Sequence, residues 1–218
     1  MQTFCAARPN GWLFIVALAS ALAAGCATQP PNAGGVVTLN INPAVAGPVQ
    51  GVGIEGQDII SMSDEMMRDM LSNPRLLQQT QGKSPRVIVD AQFFANDSSQ
   101  PINRNIITDR LRVALNRASQ GRLQFVGRQY AQAVEQERAL KRAGVTDVGT
   151  TGMAKATLGA DYRLGGRISS LDQKSGKSGL IQRYTQITFE MFDLESGEIV
   201  WSGLYEFERA AADDVIYR

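Results

Sequence analysis

Ile181-Gln-Arg-Tyr-Thr-Gln-Ile-Thr-Phe-Glu-Met-Phe-Asp-Leu194, followed by Glu195-Ser-Gly197 and then Ile199-Val-Trp-Ser-Gly-Leu-Tyr-Glu-Phe207, is the passage that decides the fold. Tyr184, Gln186, Thr188 and Glu190 alternate with Thr185, Ile187, Phe189 and Met191, the period of a strand with one buried face. Gly197 closes a tight turn, and the chain returns antiparallel as a hairpin. Ile199, Trp201 and Gly203 share one face of the returning strand, opposite Val200 and Ser202. That places Trp201 in the core with Phe189, Phe125 and Leu111.

Upstream, Tyr162 to Leu171 reads as a third strand, joined to the hairpin through the flexible loop Lys174-Ser-Gly-Lys-Ser-Gly179. Further back the period changes. Ser61-Met-Ser-Asp64 resembles a capping box, and Met62, Met66, Met67, Met70 and Leu71 follow at helical spacing until Asn73-Pro74. This methionine stripe is read as core in preference to a soft partner groove. Arg86 to Asp90 is a strand with Phe93 and Phe94 near its end, and Asn96 to Pro101 is a turn-rich loop. Ile102, Ile106, Ile107, Leu111 and Leu115 line a helix ending near Ser119, with Gly121 at its exit. Leu123 to Val126 is a short strand, and Tyr130 to Arg142 a helix closed by Gly144. Thr150 or Thr151 caps a further short helix through Leu158. The tail Arg209 to Arg218 is polar and expected to fray. The fold class is α/β (α+β): a mixed sheet of four to five strands flanked by helices, ending in an antiparallel hairpin.

Composition narrows the chemistry. With 218 residues, 44% hydrophobic and 20% charged, the chain makes one domain with a tail. It has no histidine, which excludes serine–histidine and cysteine–histidine nucleophiles, imidazole bases and histidine-ligated metals. Both cysteines, Cys5 and Cys26, lie in the first 26 residues, so the body has no disulfide framework and no thiolate metal site. The two Gly-Lys-Ser tripeptides lack the first glycine of a phosphate loop, having Leu77 and Leu171 there. No lysine has a serine three residues before it, as a penicillin-binding catalytic signature needs. The pairs Asp64/Glu65, Glu135/Glu137 and Asp213/Asp214 are too close along the chain to face each other on a helix. Arginines are interspersed with acids and accompany no stacking motif, and the net charge is +1, so nucleic acid is not the expected partner. The reading is of a non-enzyme without cofactor or metal.

The amino terminus reads as an address. Arg8 precedes the apolar run Trp12 to Ala24, thirteen residues that span about 20 Å as a helix, too short to cross a bilayer. Leu22-Ala-Ala-Gly25-Cys26 resembles the lipobox of bacterial lipoproteins, which implies a signal peptide over residues 1–25 and acylation of Cys26. Ala27 stands where Asp would retain such a protein at the inner membrane, so the expected place is the outer membrane, facing the periplasm. Residues 26–52 are then the lipidated cysteine and a flexible, uncharged linker with Pro30, Pro31, Pro43 and Pro48. Its 26 residues after the cysteine reach at most ~90 Å. The alternation in Val36 to Ile41 leaves open a short strand docking on the domain. Residues 53–218 form the single globular domain.

Three stretches of that domain are similar to the LpoB-type lipoproteins, outer-membrane activators of bifunctional penicillin-binding proteins. They are Ile107-Thr-Asp-Arg-Leu-Arg-Val-Ala-Leu115 with Gly121-Arg-Leu-Gln-Phe-Val126, then Leu158-Gly-Ala-Asp-Tyr-Arg-Leu-Gly-Gly-Arg-Ile168, then Phe192-Asp-Leu-Glu-Ser-Gly-Glu-Ile-Val-Trp-Ser-Gly203. The second and third also resemble the wider group of periplasmic domains akin to the TolB amino-terminal domain. The resemblance implies a mixed sheet with helices on both faces, no active site, and a monomer that binds the regulatory domain of a penicillin-binding protein to stimulate peptidoglycan synthesis. An envelope-assembly or secretion accessory lipoprotein with the same domain is the alternative. Candidate partner-binding residues are Asn96, Asp97 and Arg104, in the polar stretch Asn96-Asp-Ser-Ser-Gln-Pro-Ile-Asn-Arg104 leading into a helix. The competing reading is a solvated turn in which Asn96 or Asp97 stabilises its own backbone.

Overall fold

The computed structural model describes residues 38–78, 82–150 and 152–212. The chain divides into two units, residues 1–41 and residues 42–218. Of the first unit only residues 38–41 are described; they are exposed and carry no strand, and Cys26 lies outside the described residues.

The second unit opens with helix α1 (Gly56–Ser72), followed by strands β1 (Arg86–Ile88) and β2 (Phe94–Asp97), helix α2 (Arg104–Ala118) and strand β3 (Gln124–Phe125). A 3-10 turn at Arg128–Tyr130 leads into helix α3 (Ala131–Arg142), and strands β4 (Tyr162–Lys174), β5 (Ile181–Asp193) and β6 (Ile199–Ala211) complete it. Together the strands form one six-stranded mixed sheet in the order β3-β1-β4-β5-β6, with β2 also paired to β4. Pairings of β1 with β3 and β4, and of β2 with β4, are parallel; β4, β5 and β6 are antiparallel. The sheet thus has one strand more than the upper count expected.

That strand is β2. Asn96 and Asp97 pair with Ile168 and Ser169 of β4, where a loop was expected. Its anchor is Phe94, 1% exposed, whose ring stacks on Phe189 at 5.1 Å between centroids. Gly166 makes room for it: a Cβ there would stand 2.6 Å from the Phe94 ring. Helix α1 starts at Gly56, earlier than the Ser61 box suggests. The Glu55 and Asp58 side chains accept from each other's backbone N–H across the first turn, satisfying two donors that would otherwise be orphaned. Its methionines Met62, Met66 and Met70 are buried, which makes the stripe core. No helix forms from residue 152 to 158. The carbonyls of Ala154, Lys155 and Ala156 accept from the Arg138 guanidinium, and Arg142 also donates to Ala154, so these acceptors are served from α3.

Strand β6 runs through Arg209 to Ala211, where fraying was expected. Arg209 forms a bidentate pair with the buried Asp58 of α1, at 2.7 and 2.9 Å, and also donates to the Gly53 carbonyl at 2.8 Å. The guanidinium lies over the Phe207 ring at 4.6 Å. Trp201 is buried as expected, and its indole N–H donates to Asp69 at 2.6 Å. Ile199 does not share its environment: a bulge in the β5–β6 register lets Val200 and Trp201 both turn inward and leaves Ile199 exposed. Phe125 is half-buried against the core, whereas Phe189 and Leu111 are fully inside it.

Helices α1 and α2 pack together, α1 against β6 and α2 against β2 and β3, over the face that carries Leu164, Ile168, Ile187, Phe189 and Met191. Helices on both faces were expected, but among the described residues none lies over the other face of β4–β6. The side chains pointing the other way are mostly polar (Gln182, Gln186, Thr188, Glu190, Ser202, Glu206, Glu208), and an antiparallel sheet tolerates one wet face.

An open sheet face as the candidate functional site

Among the described residues no group of three potential metal-ligating side chains comes together. One surface groove of about 370 Å³ is lined by Lys83, Arg86, Asp161, Tyr162 and Asp193 among others. Its carboxylates are engaged structurally. Asp161 accepts from the backbone N–H of Arg86 at 2.7 Å. Asp193 accepts from the backbone of Ser196 and Glu195 at 2.7 and 2.9 Å, bonds that hold its carboxyl below the usual carboxylate range. Burial, followed by the nearby Asp193 and Asp161, pushes the Tyr162 hydroxyl up. The groove therefore caps turns and seals strand ends.

The uncovered side of β4–β6 is organised differently. Thirteen-residue strands lie side by side, and their outward rows are Arg163, Arg167, Ser169 and Leu171; Gln182, Tyr184, Gln186, Thr188, Glu190 and Phe192; and Ser202, Leu204, Glu206 and Glu208. At one end Arg163 donates to Asp90 at 2.7 Å and sits over the Phe93 ring at 4.5 Å, while Phe93 meets Phe192 edge-on at 6.2 Å. Midway, Arg167 pairs with Asp97 at 3.0 Å, both more than half exposed. Toward the other end Tyr184 donates to Glu206 and Gln182 to Glu208, each at 2.7 Å, diagonally across the β5–β6 ladder. The bond to the Glu206 carboxylate pushes the Tyr184 hydroxyl up. Leu204 and Leu171 stand exposed between these polar groups.

The three candidate residues do not converge. Asp97 belongs to the open face through Arg167. Asn96 points the other way: its side chain donates to the Gln100 carbonyl at 2.9 Å and accepts from Ser98 Oγ at 2.6 Å, the self-stabilised turn of the competing reading. Arg104, in the first turn of α2, donates to the Phe94 carbonyl and so ties α2 to β2. Alternation along β5 had marked Gln186, Thr188 and Glu190 as the outward row. The polar composition of the neighbouring strands is the matching signal that, among the described residues, no helix covers them.

Fold and surface define an α+β domain whose sheet has one face closed by two helices and the other, among the described residues, uncovered over β4–β6. The chain belongs to the LpoB family: the model for the peptidoglycan-synthase activator LpoB matches residues 58–207. That is a family of regulators of peptidoglycan synthesis, not of enzymes. Among solved structures the chain is similar to the LpoB C-terminal domain from Salmonella enterica, at 23% identity over 65% of this chain and 94% of that one, with a TM-score of 0.34. It is similar also to the LpoB C-terminal domain from Escherichia coli, at 19% identity, the same coverages and a TM-score of 0.33. Lipoprotein GNA1162 from Neisseria meningitidis is 16% identical over 61% of this chain and 87% of its own, with a TM-score of 0.30. No curated protein matches the chain.

Proposed function

We propose that this chain is an outer-membrane lipoprotein that binds and activates a bifunctional penicillin-binding protein from the periplasmic side. The observation that carries the reading is the family match, which spans the body from α1 to β6. Cys26 is the acylated residue and the new amino terminus. After cleavage the side-chain charges balance, so attachment depends on acyl chains, at ~0.8 kcal/mol per buried CH₂, and not on anionic lipid. The linker carries the body inward, and the body docks on the synthase's regulatory domain. Of the three candidate residues, Asp97 is the one we retain at the interface; Asn96 and Arg104 brace the β2–α2 connection.

Two experiments test this. Replacing Cys26 with Ala should release a soluble form or leave an uncleaved precursor without lipid label; unchanged labelling and fractionation refute the anchor. Cross-linking in intact envelopes followed by capture of the chain should recover a penicillin-binding protein, and the purified chain should raise that enzyme's polymerisation rate. Recovery of an unrelated envelope assembly instead refutes the activator role.

A further inference from the structure

We propose that the open face of β4–β6 is the docking surface, and that it accepts a cationic, arginine- or lysine-bearing patch on the synthase; the proposal rests on the activator reading above. Charge on this face is lopsided, although the chain as a whole carries 22 basic against 21 acidic side chains. Arg163 is neutralised by Asp90 and Arg167 by Asp97. Glu190, Glu206 and Glu208 have no cationic partner among the described residues, and all three are exposed. They are not scattered. Glu190 lies opposite Ser202, and Glu206 and Glu208 follow on the same row of β6, so the three carboxylates form a stripe about 20 Å long.

The stripe is also preorganised. Tyr184 donates to Glu206 and Gln182 to Glu208, one hydrogen bond each, which orients two of the three carboxylates. Such fixed acceptors suit the planar fork of a guanidinium. Leu204, next along β6 from Glu206 on the same face, and Leu171, opposite Tyr184 on β4, offer apolar contact beside the charges. Size fits as well. Three thirteen-residue strands cover roughly 500–600 Å² in projection, and Asp97 and Phe93 extend the surface toward the ~800 Å² per partner of a stable interface. A second copy of this chain would bring carboxylate onto carboxylate, which argues against self-association through this face.

The test uses the full chain in detergent, immobilised, with the purified bifunctional penicillin-binding protein as analyte. The variant Glu190→Lys/Glu206→Lys/Glu208→Lys should bind at least about tenfold more weakly, chiefly through a slower on-rate. Parent binding should weaken steadily as salt rises from about 50 to about 500 mM. As a control, Val134→Ser/Leu140→Ser on the exposed side of α3 should bind like the parent. Circular dichroism melts of the charge variant should match the parent; if they do not, the parent's salt dependence and the Glu→Gln triple variant decide. A parent affinity indifferent to salt, or a folded charge-reversal variant that binds normally, overturns the proposal and leaves the activator reading standing. A parent chain that binds no penicillin-binding protein overturns both.

Discussion

Replacing Trp201 with Ala and, separately, with Phe tests how the body is closed. Trp201 is 5% exposed; its indole lies over Gly203, where a Cβ would stand 2.5 Å from the ring, and near the Met66 sulfur on α1. Truncation to Ala removes roughly 150 Å² of buried apolar surface, about 4 kcal/mol at ~25 cal/mol/Å², within the ~3–5 kcal/mol typical of such losses. The 2.6 Å bond to Asp69 adds about 1 kcal/mol, since that carboxylate is exposed and water can replace the donor. Phe keeps most of the ring area and loses the bond, so it should cost ~1–2 kcal/mol. The expected order is parent, then Phe, then Ala, with the Ala variant melting ~10–15 °C lower. Urea unfolding and thermal melts followed by far-ultraviolet circular dichroism measure both, because the body's tryptophan fluorescence would vanish with Trp201; the other tryptophan, Trp12, lies in the amino-terminal apolar run. An Ala variant within 1 kcal/mol of the parent would refute burial. If that same variant lost synthase binding, Trp201 would belong to the interface and not to the core.

Other perturbations follow from the same contacts. Gly166→Ala should expel the Phe94 ring and loosen β2, costing ~1–3 kcal/mol in urea unfolding; a neutral result would show that β2 is held by other means. Arg209→Met leaves Asp58 buried without its partner and should destabilise by ~3–5 kcal/mol, whereas a smaller loss would mean water reaches Asp58. Asp97→Ala/Arg104→Ala should unfold within about 1–2 kcal/mol of the parent, the loss coming from the Arg104 tie to Phe94, and a larger loss would show that Asp97 is structural. The Arg183 hydrogen bond, aided by Ser99, holds Asp172 below the usual carboxylate range, as turn N–H groups do for Asp193. Both are depressed relative to the unfolded chain, so their contribution is full above about pH 4 and is lost as pH falls through the lowered values. Tyr162, Tyr184 and Tyr205 are raised, so theirs is full below about pH 10 and lost as pH rises through the raised values. Melting temperature against pH should fall at both ends, and a flat acid limb would contradict the aspartate assignment.

Much of this was legible in the sequence because it depends on local period. The alternation from Thr185 to Met191 gave the buried row of β5, and the methionine spacing gave the inner face of α1. What escaped depends on contacts between distant residues. Nothing local marks Phe94-Ala-Asn-Asp97 as a strand; it becomes one because Gly166, 72 positions from Phe94, leaves space for a ring. Arg209 looked like tail because its partner is Asp58, 151 residues away. Ile199 looked like core because a bulge cannot be read from alternation alone. The open face was half legible: its polar rows follow from alternation, but whether a helix covers them is a question of topology.

The bond between Asp58 and Arg209 also bears on when the body can form. It joins the first helix to the last strand, so a chain emerging from the ribosome holds a carboxylate in α1 whose counter-charge does not yet exist. Trp201 and the Gly53 clamp arrive equally late. Closing a loop of that length costs only a few kcal/mol more than closing a short one, but it cannot begin before residue 209 is made. Every nascent intermediate therefore lacks its seal, and the chain stays loosely held for nearly the whole of its synthesis. On the lipoprotein reading proposed above, the chain is threaded unfolded through a narrow pore, and that delay keeps the thread slack.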